Sequence, residues 1–180
     1  MLDRASDFMS LAKILARIPA RARLASIMAI LLFGSVASYY FINTCLFGFV
    51  EVTGTSMLPS LRQGESYLLH RWRIFSGKPT RLSIVAIRDP LDDALSVKRI
   101  IGVPGDRIIL KDQRLFINGD LFEESYLSDG ILTEVMYEYA RDFTLSSDQY
   151  FLLGDNRPVS VDSRIYGAVE EDRLLGMIYP

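Results

Sequence analysis

The chain opens with an apolar stretch whose pattern differs from everything after it. Residues 24 to 50 contain no Asp, Glu, Lys or Arg, and the run from Leu24 to about Phe47 is strongly hydrophobic. A helix of that length crosses a hydrocarbon layer of roughly 30 Å. The pattern predicts one transmembrane anchor helix over residues 24–48.

The residues before this stretch predict a second, amphipathic helix. Leu11, Ile14, Leu15 and Ile18 recur at helical spacing, and Pro19 ends the pattern. A short helix of this kind is expected to lie on the inner membrane surface. Residues 1–23 are predicted to form a cytoplasmic amphipathic and basic segment.

Charge predicts the orientation of the anchor. The basic side chains outnumber the acidic ones in residues 1–23, where the basic ones are Arg4, Lys13, Arg17, Arg21 and Arg23 and the acidic ones are Asp3 and Asp7. By the positive-inside rule this flank stays in the cytoplasm. The prediction is a single-pass protein of the cell (cytoplasmic or inner) membrane, with residues 49–180 outside the cytoplasm.

Two other interpretations fit parts of the apolar stretch. A cleavable signal peptide also has a basic start, an apolar run and small residues such as Ser35 and Ala37. A buried core helix is the second alternative. Apolar character continues past Ala37 through Tyr39, Phe41 and Leu46, which is longer than a signal peptide needs, so the anchor is favoured.

From residue 49 onward the pattern changes to short strands separated by turns. Asn118-Gly119 is typical of a two-residue hairpin, because both positions accept positive φ. The fold class predicted for residues 49–180 is mostly β, one antiparallel sheet domain preceded by the anchor helix. Glu134–Arg141 fits either a helical turn or a ribbon. The predicted strands are Tyr67–Leu69, Ile84–Ile87, Val97–Ile101, Arg107–Leu110, Leu115–Ile117, Leu121–Phe122 and Tyr150–Leu153.

Composition narrows the function classes. The chain has 180 residues, room for one domain plus an anchor, and its net charge of −2 argues against a nucleic-acid partner. Cys45 is the only cysteine and His70 the only histidine, so no intrachain disulfide forms and no Cys/His metal site is expected. No cofactor is predicted.

Three segments carry candidate chemistry, and each also has a plain structural interpretation. Ser56 stands in Gly54–Ser60, where a serine near Gly and Pro is commonly a turn residue. Lys98 stands among Val97, Ile100 and Ile101, which suggests burial, although a strand lysine is commonly solvated. The third segment, 154–164, is rich in turn formers and also fits a polar surface loop.

Together the three segments resemble the type I signal peptidases, in particular their compact branch. The first resembles the box Gly-x-Ser-Met-x-Pro, the second matches Lys-Arg-Ile-Ile-Gly-x-Pro-Gly-Asp, and the third matches Gly-Asp-Asn-Arg-x-x-Ser-x-Asp-Ser-Arg. The resemblance spans roughly Phe49 to Ile178. It implies a serine protease of the Ser-Lys dyad type.

The resemblance assigns roles position by position. It implies that Ser56 is the nucleophile and that Lys98 is its general base, which requires a neutral amine. Ser160 resembles the family's serine that orients the lysine. Asp162 and Arg164 resemble its supporting ion pair.

The resemblance assigns the oxyanion donors and the substrate-pocket residues less directly than the dyad. The backbone N–H of Ser56 is the expected first oxyanion donor. One branch of the family adds a hydroxyl two residues earlier, but Gly54 stands there, so the second donor is undefined. Core packing is the alternative role for the candidate substrate-pocket residues, which are Val52, Met57, Leu61 and Val97.

The implied partners are a membrane and a peptide. The resemblance implies that the substrates are signal peptides of exported precursors, bound as an extended strand with small residues, often Ala-x-Ala, before the cut. The lipid bilayer is the second partner. A general signal-peptide-removing endopeptidase is therefore the predicted function.

Other functions fit the sequence less well or share its chemistry. A dedicated precursor-processing peptidase of pilus or conjugation systems would share the chemistry, whereas a catalytically silent assembly factor would not need both Ser56 and Lys98. A self-cleaving repressor would carry a DNA-binding domain in place of the apolar segment. A Ser-His-Asp hydrolase would have to use His70, which lies in no recognised motif.

Overall fold

The structure is a computed structural model that describes residues 19–42, 46–71, 77–127, 131–134 and 142–179. It divides into two compact units, Met1–Thr44 and Cys45–Pro180. The amphipathic helix predicted upstream of Pro19 lies outside the described residues, as do residues 135–141 of the segment whose sequence fits a helical turn or a ribbon.

The first unit contains helix α1 (Ala20–Phe41), none of whose residues is buried. It is the one helix in the described ranges that is long and apolar enough to cross a membrane. It begins before the predicted position 24 because Arg21 and Arg23 are good helix formers. It also ends earlier than predicted, since Phe47 and Gly48 lie in a β-strand.

The second unit is built from short strands joined by turns. Strand β4 is the longest of the described strands, and helix α2 (Ser163–Tyr166) and a 3₁₀ turn (Glu171–Arg173) follow β9. The strands are β1 (Phe47–Glu51), β2 (Ser66–His70), β3 (Ile84–Arg88), β4 (Leu95–Gly102), β5 (Arg107–Lys111), β6 (Arg114–Ile117), β7 (Asp120–Leu121), β8 (Asp142–Thr144), β9 (Gln149–Leu153), β10 (Val169–Glu170) and β11 (Leu174–Ile178).

These strands form two antiparallel sheets. The larger sheet has the order β1-β2-β11-β3-β4-β9-β10, and the smaller one has the order β7-β6-β5-β8. Strand β11 therefore lies between β2 and β3 although it is the last strand in sequence. The predicted fold class, a mostly antiparallel β domain preceded by one apolar helix, is confirmed.

Hairpin β6–β7 shows why the local sequence specifies its turn. Asn118 and Gly119 have φ values of 56° and 97°, the positive range that a tight two-residue turn requires. The strands on either side pair in register, with Ile117 opposite Asp120 and Phe116 opposite Leu121. The predicted hairpin is confirmed.

One apolar cluster supports the candidate site. It packs side chains of the segment that follows β1 against side chains of β4 and its neighbouring strands, so it fixes that segment relative to β4. Its buried members are Val50, Val52, Met57, Leu61, Leu69, Ile84, Ala86, Val97 and Ile178.

Candidate active site

Ser56 lies on a compact turn between β1 and β2. The N–H of Leu58 donates to the carbonyl of Thr55, and the N–H of Leu61 donates to the carbonyl of Met57. The turn is also tied to a distant segment, because the N–H of Asn156 donates to the carbonyl of Ser56 at 2.9 Å. The backbone around Ser56 is therefore fixed from both sides.

Lys98 lies in the middle of β4, opposite Val85 of β3. Its side chain is buried, with 4% of the residue exposed, as its apolar neighbours in the sequence suggested. The amine Nζ is 3.5 Å from Ser56 Oγ and donates to Ser96 Oγ at 2.8 Å. The fold thus brings together two residues that are 42 positions apart in sequence.

Burial sets the electrostatics of this amine. Desolvation lowers the pKa of Lys98 below that of an ordinary lysine, because a charged ammonium loses its hydration inside the protein. The carboxylates of Asp162 and Asp89 act in the opposite direction and raise the pKa. Desolvation is the larger effect, so at a given pH a larger fraction of this amine is neutral than for a lysine in water.

Such an arrangement can perform base-assisted nucleophilic attack. A neutral amine beside a hydroxyl can accept the hydroxyl proton as the oxygen attacks a carbonyl carbon. The 3.5 Å separation is longer than an ordinary hydrogen bond, which is common in sites without substrate.

A small cavity adjoins Ser56. It has a volume of about 140 Å³ and lies between the end of β1 and the start of β4. Three of the four predicted pocket residues line it, whereas Leu61 is completely buried in the cluster below and is not part of the wall. The lining residues are Val50, Glu51, Val52, Thr53, Gly54, Ser56, Met57, Leu95, Ser96 and Val97.

Comparison with known proteins identifies the family. Residues 23–179 match the family model described as signal peptidase, peptidase S26. The chain belongs to this family.

Curated signal peptidases cover most of the chain. It is 30% identical to signal peptidase I V of Bacillus subtilis over 86% of this chain and 94% of that protein. It is 36% identical to signal peptidase I of Bacillus licheniformis over 75% of this chain and 76% of that protein. It is therefore an enzyme, a serine endopeptidase with the signal peptidase I function of removing signal peptides.

A solved structure is also similar. The crystal structure of a signal peptidase I from Enterococcus faecalis V583 is 34% identical. The match covers 57% of this chain and 97% of that chain, with a TM-score of 0.48.

In this signal peptidase Asp162 and Arg164 form a buried, two-pronged ion pair. Arg164 Nε donates to Asp162 Oδ1 and an Arg164 terminal nitrogen donates to Asp162 Oδ2, both at 2.8 Å. Asp162 also accepts from the N–H of Gly154 at 3.1 Å and caps helix α2. Arg164 donates to the carbonyls of Arg157 and Ser160. The pair thus ties the beginning of segment 154–164, at Gly154 and Arg157, to its end.

Ser160 is packed tightly at the centre of this segment. A Cβ added to Gly154 would lie 2.2 Å from Ser160 Oγ and 2.7 Å from the carbonyl oxygen of Ser56, so only glycine fits there. Ser160 Oγ is buried and has no hydrogen-bond partner. The bond of Lys98 to a neighbouring serine goes to Ser96.

Sequence reasoning did not find two further ion pairs of the site. Arg99, next to Lys98, donates to both carboxylate oxygens of Asp155, at 2.8 and 2.6 Å. Arg157 donates to the carbonyl of Gly154 and to Glu124 Oε1 at 2.9 and 2.6 Å. Both arginines stand within the recognised motifs, but their partners are far away in sequence, and only the fold pairs them.

Arg157 is the centre of a buried polar cluster. Besides Glu124 it contacts the hydroxyls of Tyr126 and Thr133, and both hydroxyls also donate to the Glu124 carboxylate. Arg99 stacks above the ring of Tyr126 at 4.5 Å. The cluster therefore connects the chain after β7 to the segment that holds Ser160.

Proposed function

We propose that this signal peptidase cleaves its substrates with Ser56 as nucleophile and Lys98 as general base. The observation that carries the proposal is the buried Lys98 amine 3.5 Å from Ser56 Oγ, with a pKa lowered by desolvation. His70, the only histidine, has no part in it.

The reaction then proceeds through an acyl-enzyme. Ser56 Oγ attacks the scissile carbonyl carbon while its proton passes to Lys98 Nζ. As the peptide C–N bond breaks, the lysine returns the proton to the leaving amine. Lys98 then takes a proton from water, which attacks the ester carbonyl, and returns that proton to Ser56 Oγ as the ester bond breaks. The N–H of Ser56 is the proposed donor to the developing oxyanion.

We propose that the 140 Å³ cavity receives the residue before the cut. The cavity adjoins Ser56, and the walls formed by Val52, Met57 and Val97 are apolar, which suits an apolar side chain such as Ala. Glu51, also at this cavity, is exposed. Substrates are expected to bind as extended segments with alternate small residues, of the Ala-x-Ala type.

A precursor series tests this specificity. The detergent-solubilised full chain is incubated with an exported precursor that has Ala-x-Ala before the cut and with a variant that has Phe at the last position. We expect cleavage after the second Ala and a loss of about 100-fold in kcat/KM for Phe, because a ring that fills this cavity beside Ser56 displaces the scissile carbonyl from the position of attack. Equal cleavage of both precursors would contradict the assignment of the cavity, and Ser56→Ala serves as the blank.

We further propose that helix α1 anchors the enzyme in the cytoplasmic membrane with the catalytic domain outside. Its length and apolar composition support the span, and Arg21 and Arg23 support a cytoplasmic amino terminus. Protease added to intact spheroplasts should digest the β domain and spare an amino-terminal tag. Protection of the β domain would contradict this orientation, and a mature chain that begins near Ser38 would contradict anchoring.

A further inference from the structure

Ser96 and Lys98 lie two residues apart on β4, so their side chains emerge from the same face of the strand. The hydroxyl of Ser96 accepts a hydrogen bond from Lys98 Nζ at 2.8 Å, an ordinary hydrogen-bond length. The contact of Nζ with Ser56 Oγ is longer, at 3.5 Å. The amine is therefore held by Ser96 more closely than by the nucleophile.

The other serine near the site does not share this task. Ser160 Oγ is buried without a hydrogen-bond partner, although it packs directly on Gly154. The resemblance to signal peptidases assigns the orientation of the lysine to this residue. In this chain the hydroxyl bonded to the amine belongs to Ser96.

We propose that Ser96 is a positioning residue that fixes the amine of Lys98 toward Ser56. The proposal rests on the proposed function, since it takes Lys98 as the base. A lysine side chain has several rotatable bonds, and a hydrogen bond at its end removes that freedom. With one N–H donated to Ser96, the lone pair of the neutral amine is free to accept the Ser56 proton.

Ser96 also affects the pKa of the amine. An acceptor bonds more strongly to a charged donor, so Ser96 Oγ favours the ammonium form. The other groups that act on this amine are the carboxylates of Asp162 and Asp89, which favour the same form, whereas burial opposes it. Removal of the Ser96 hydroxyl therefore lowers the pKa of Lys98 further and leaves its amine poorly oriented.

The test is the pH dependence of kcat for the full chain in detergent. We expect Ser96→Ala to lower the plateau of kcat about tenfold, because the hydrogen bond to Ser96 strengthens as the amine gains the Ser56 proton in the transition state. Its acidic limb should move to lower pH. Ser96→Thr keeps the hydroxyl and should restore the position of that limb. Ser160→Ala, the matched variant, should leave the limb in place, because Ser160 Oγ is not bonded to the amine.

Several results would overturn the inference. These are a Ser96→Ala enzyme with the wild-type profile, a lower kcat without movement of the acidic limb, and a larger shift in Ser160→Ala than in Ser96→Ala. Where Ser96→Ala fails to fold, Ser96→Cys takes its place, since it keeps the volume but is a weak acceptor.

A parallel variant separates this inference from the proposed function. An active Lys98→Ala enzyme would disprove the dyad itself. An inactive Lys98→Ala enzyme together with a wild-type Ser96→Ala profile would disprove only the role of Ser96.

Discussion

Ser56→Ala and Lys98→Ala are each expected to lower kcat/KM for precursor cleavage by about 10³-fold or more. The first change removes the attacking oxygen, and the second removes the buried amine that accepts its proton. Because nucleophile and base act as one unit, the double variant should be little worse than either single variant. The measurement is initial-rate cleavage of a labelled precursor with active-site concentrations matched.

Two further variants control for charge and for alternative chemistry. Lys98→Arg should be inactive, because a guanidinium stays protonated over the usable pH range. His70→Ala should retain most of the activity, since His70 contacts the ring of Phe47 and lies in the β2 strand. High activity in Lys98→Ala, or abolition by His70→Ala in a folded protein, would rule out the dyad.

Arg157→Leu is expected to reduce the free energy of unfolding by about 3–5 kcal/mol, the usual result when one partner of a buried ion pair is removed. Arg157 is 2% exposed and holds Glu124, Tyr126 and Thr133 together. Without it the largely buried carboxylate of Glu124 loses its counter-charge. Activity should fall as well, since Arg157 also bonds the carbonyl of Gly154 beside Ser160.

Urea titration of the full chain, followed by circular dichroism, measures this effect. Arg107→Leu is the matched control, because Arg107 forms an equally close ion pair with Asp142 at 2.6 Å but on the exposed surface. That variant should be much less destabilised, since solvent screens such pairs. A loss in Arg157→Leu as small as the one expected for the exposed pair would show that the Arg157 cluster does not support the fold.

The parts of the fold with strong local signals could be predicted from the sequence. Strands β3, β4, β5, β6 and β9 are apolar runs between turn residues, and Asn118-Gly119 has the chemistry of its turn. Strand β1 was missed because it continues the charge-free run of the predicted anchor. Pairing with β2, a contact that no local pattern reports, makes it a strand.

Strand β11 was missed for a different reason. Gly176 interrupts its apolar pattern and lowers its strand propensity. The glycine is needed because a Cβ there would lie 2.5 Å from the carbonyl oxygen of His70 in the neighbouring strand. The close approach between β11 and β2 is a tertiary constraint. The sequence shows the glycine that this approach requires, but it does not show which strand comes close. Strands β8 and β10, of three and two residues, are too short to give a pattern.

The site was predictable where family motifs contain the residues. Ser56 and Lys98 were paired from the motifs, and the structure places their side chains in contact range. Ser96 was missed, although its spacing of two from a strand lysine is the signal that could have indicated a shared face. Glu124 could not be found, because its role depends on the 33-residue separation that the fold closes.

The most direct measurement of the central claim is the titration of the Lys98 amine in the folded enzyme. Lysine side chains labelled with ¹³C are followed by NMR, and the Lys98 signal is assigned by its loss in Lys98→Arg. Because burial disfavours the charged form, the pKa should lie clearly below the ordinary lysine value, and cleavage should rise with pH through that same pKa. A Lys98 pKa at or above the ordinary value of about 10.4, in an enzyme active at neutral pH, would contradict its role as the neutral base.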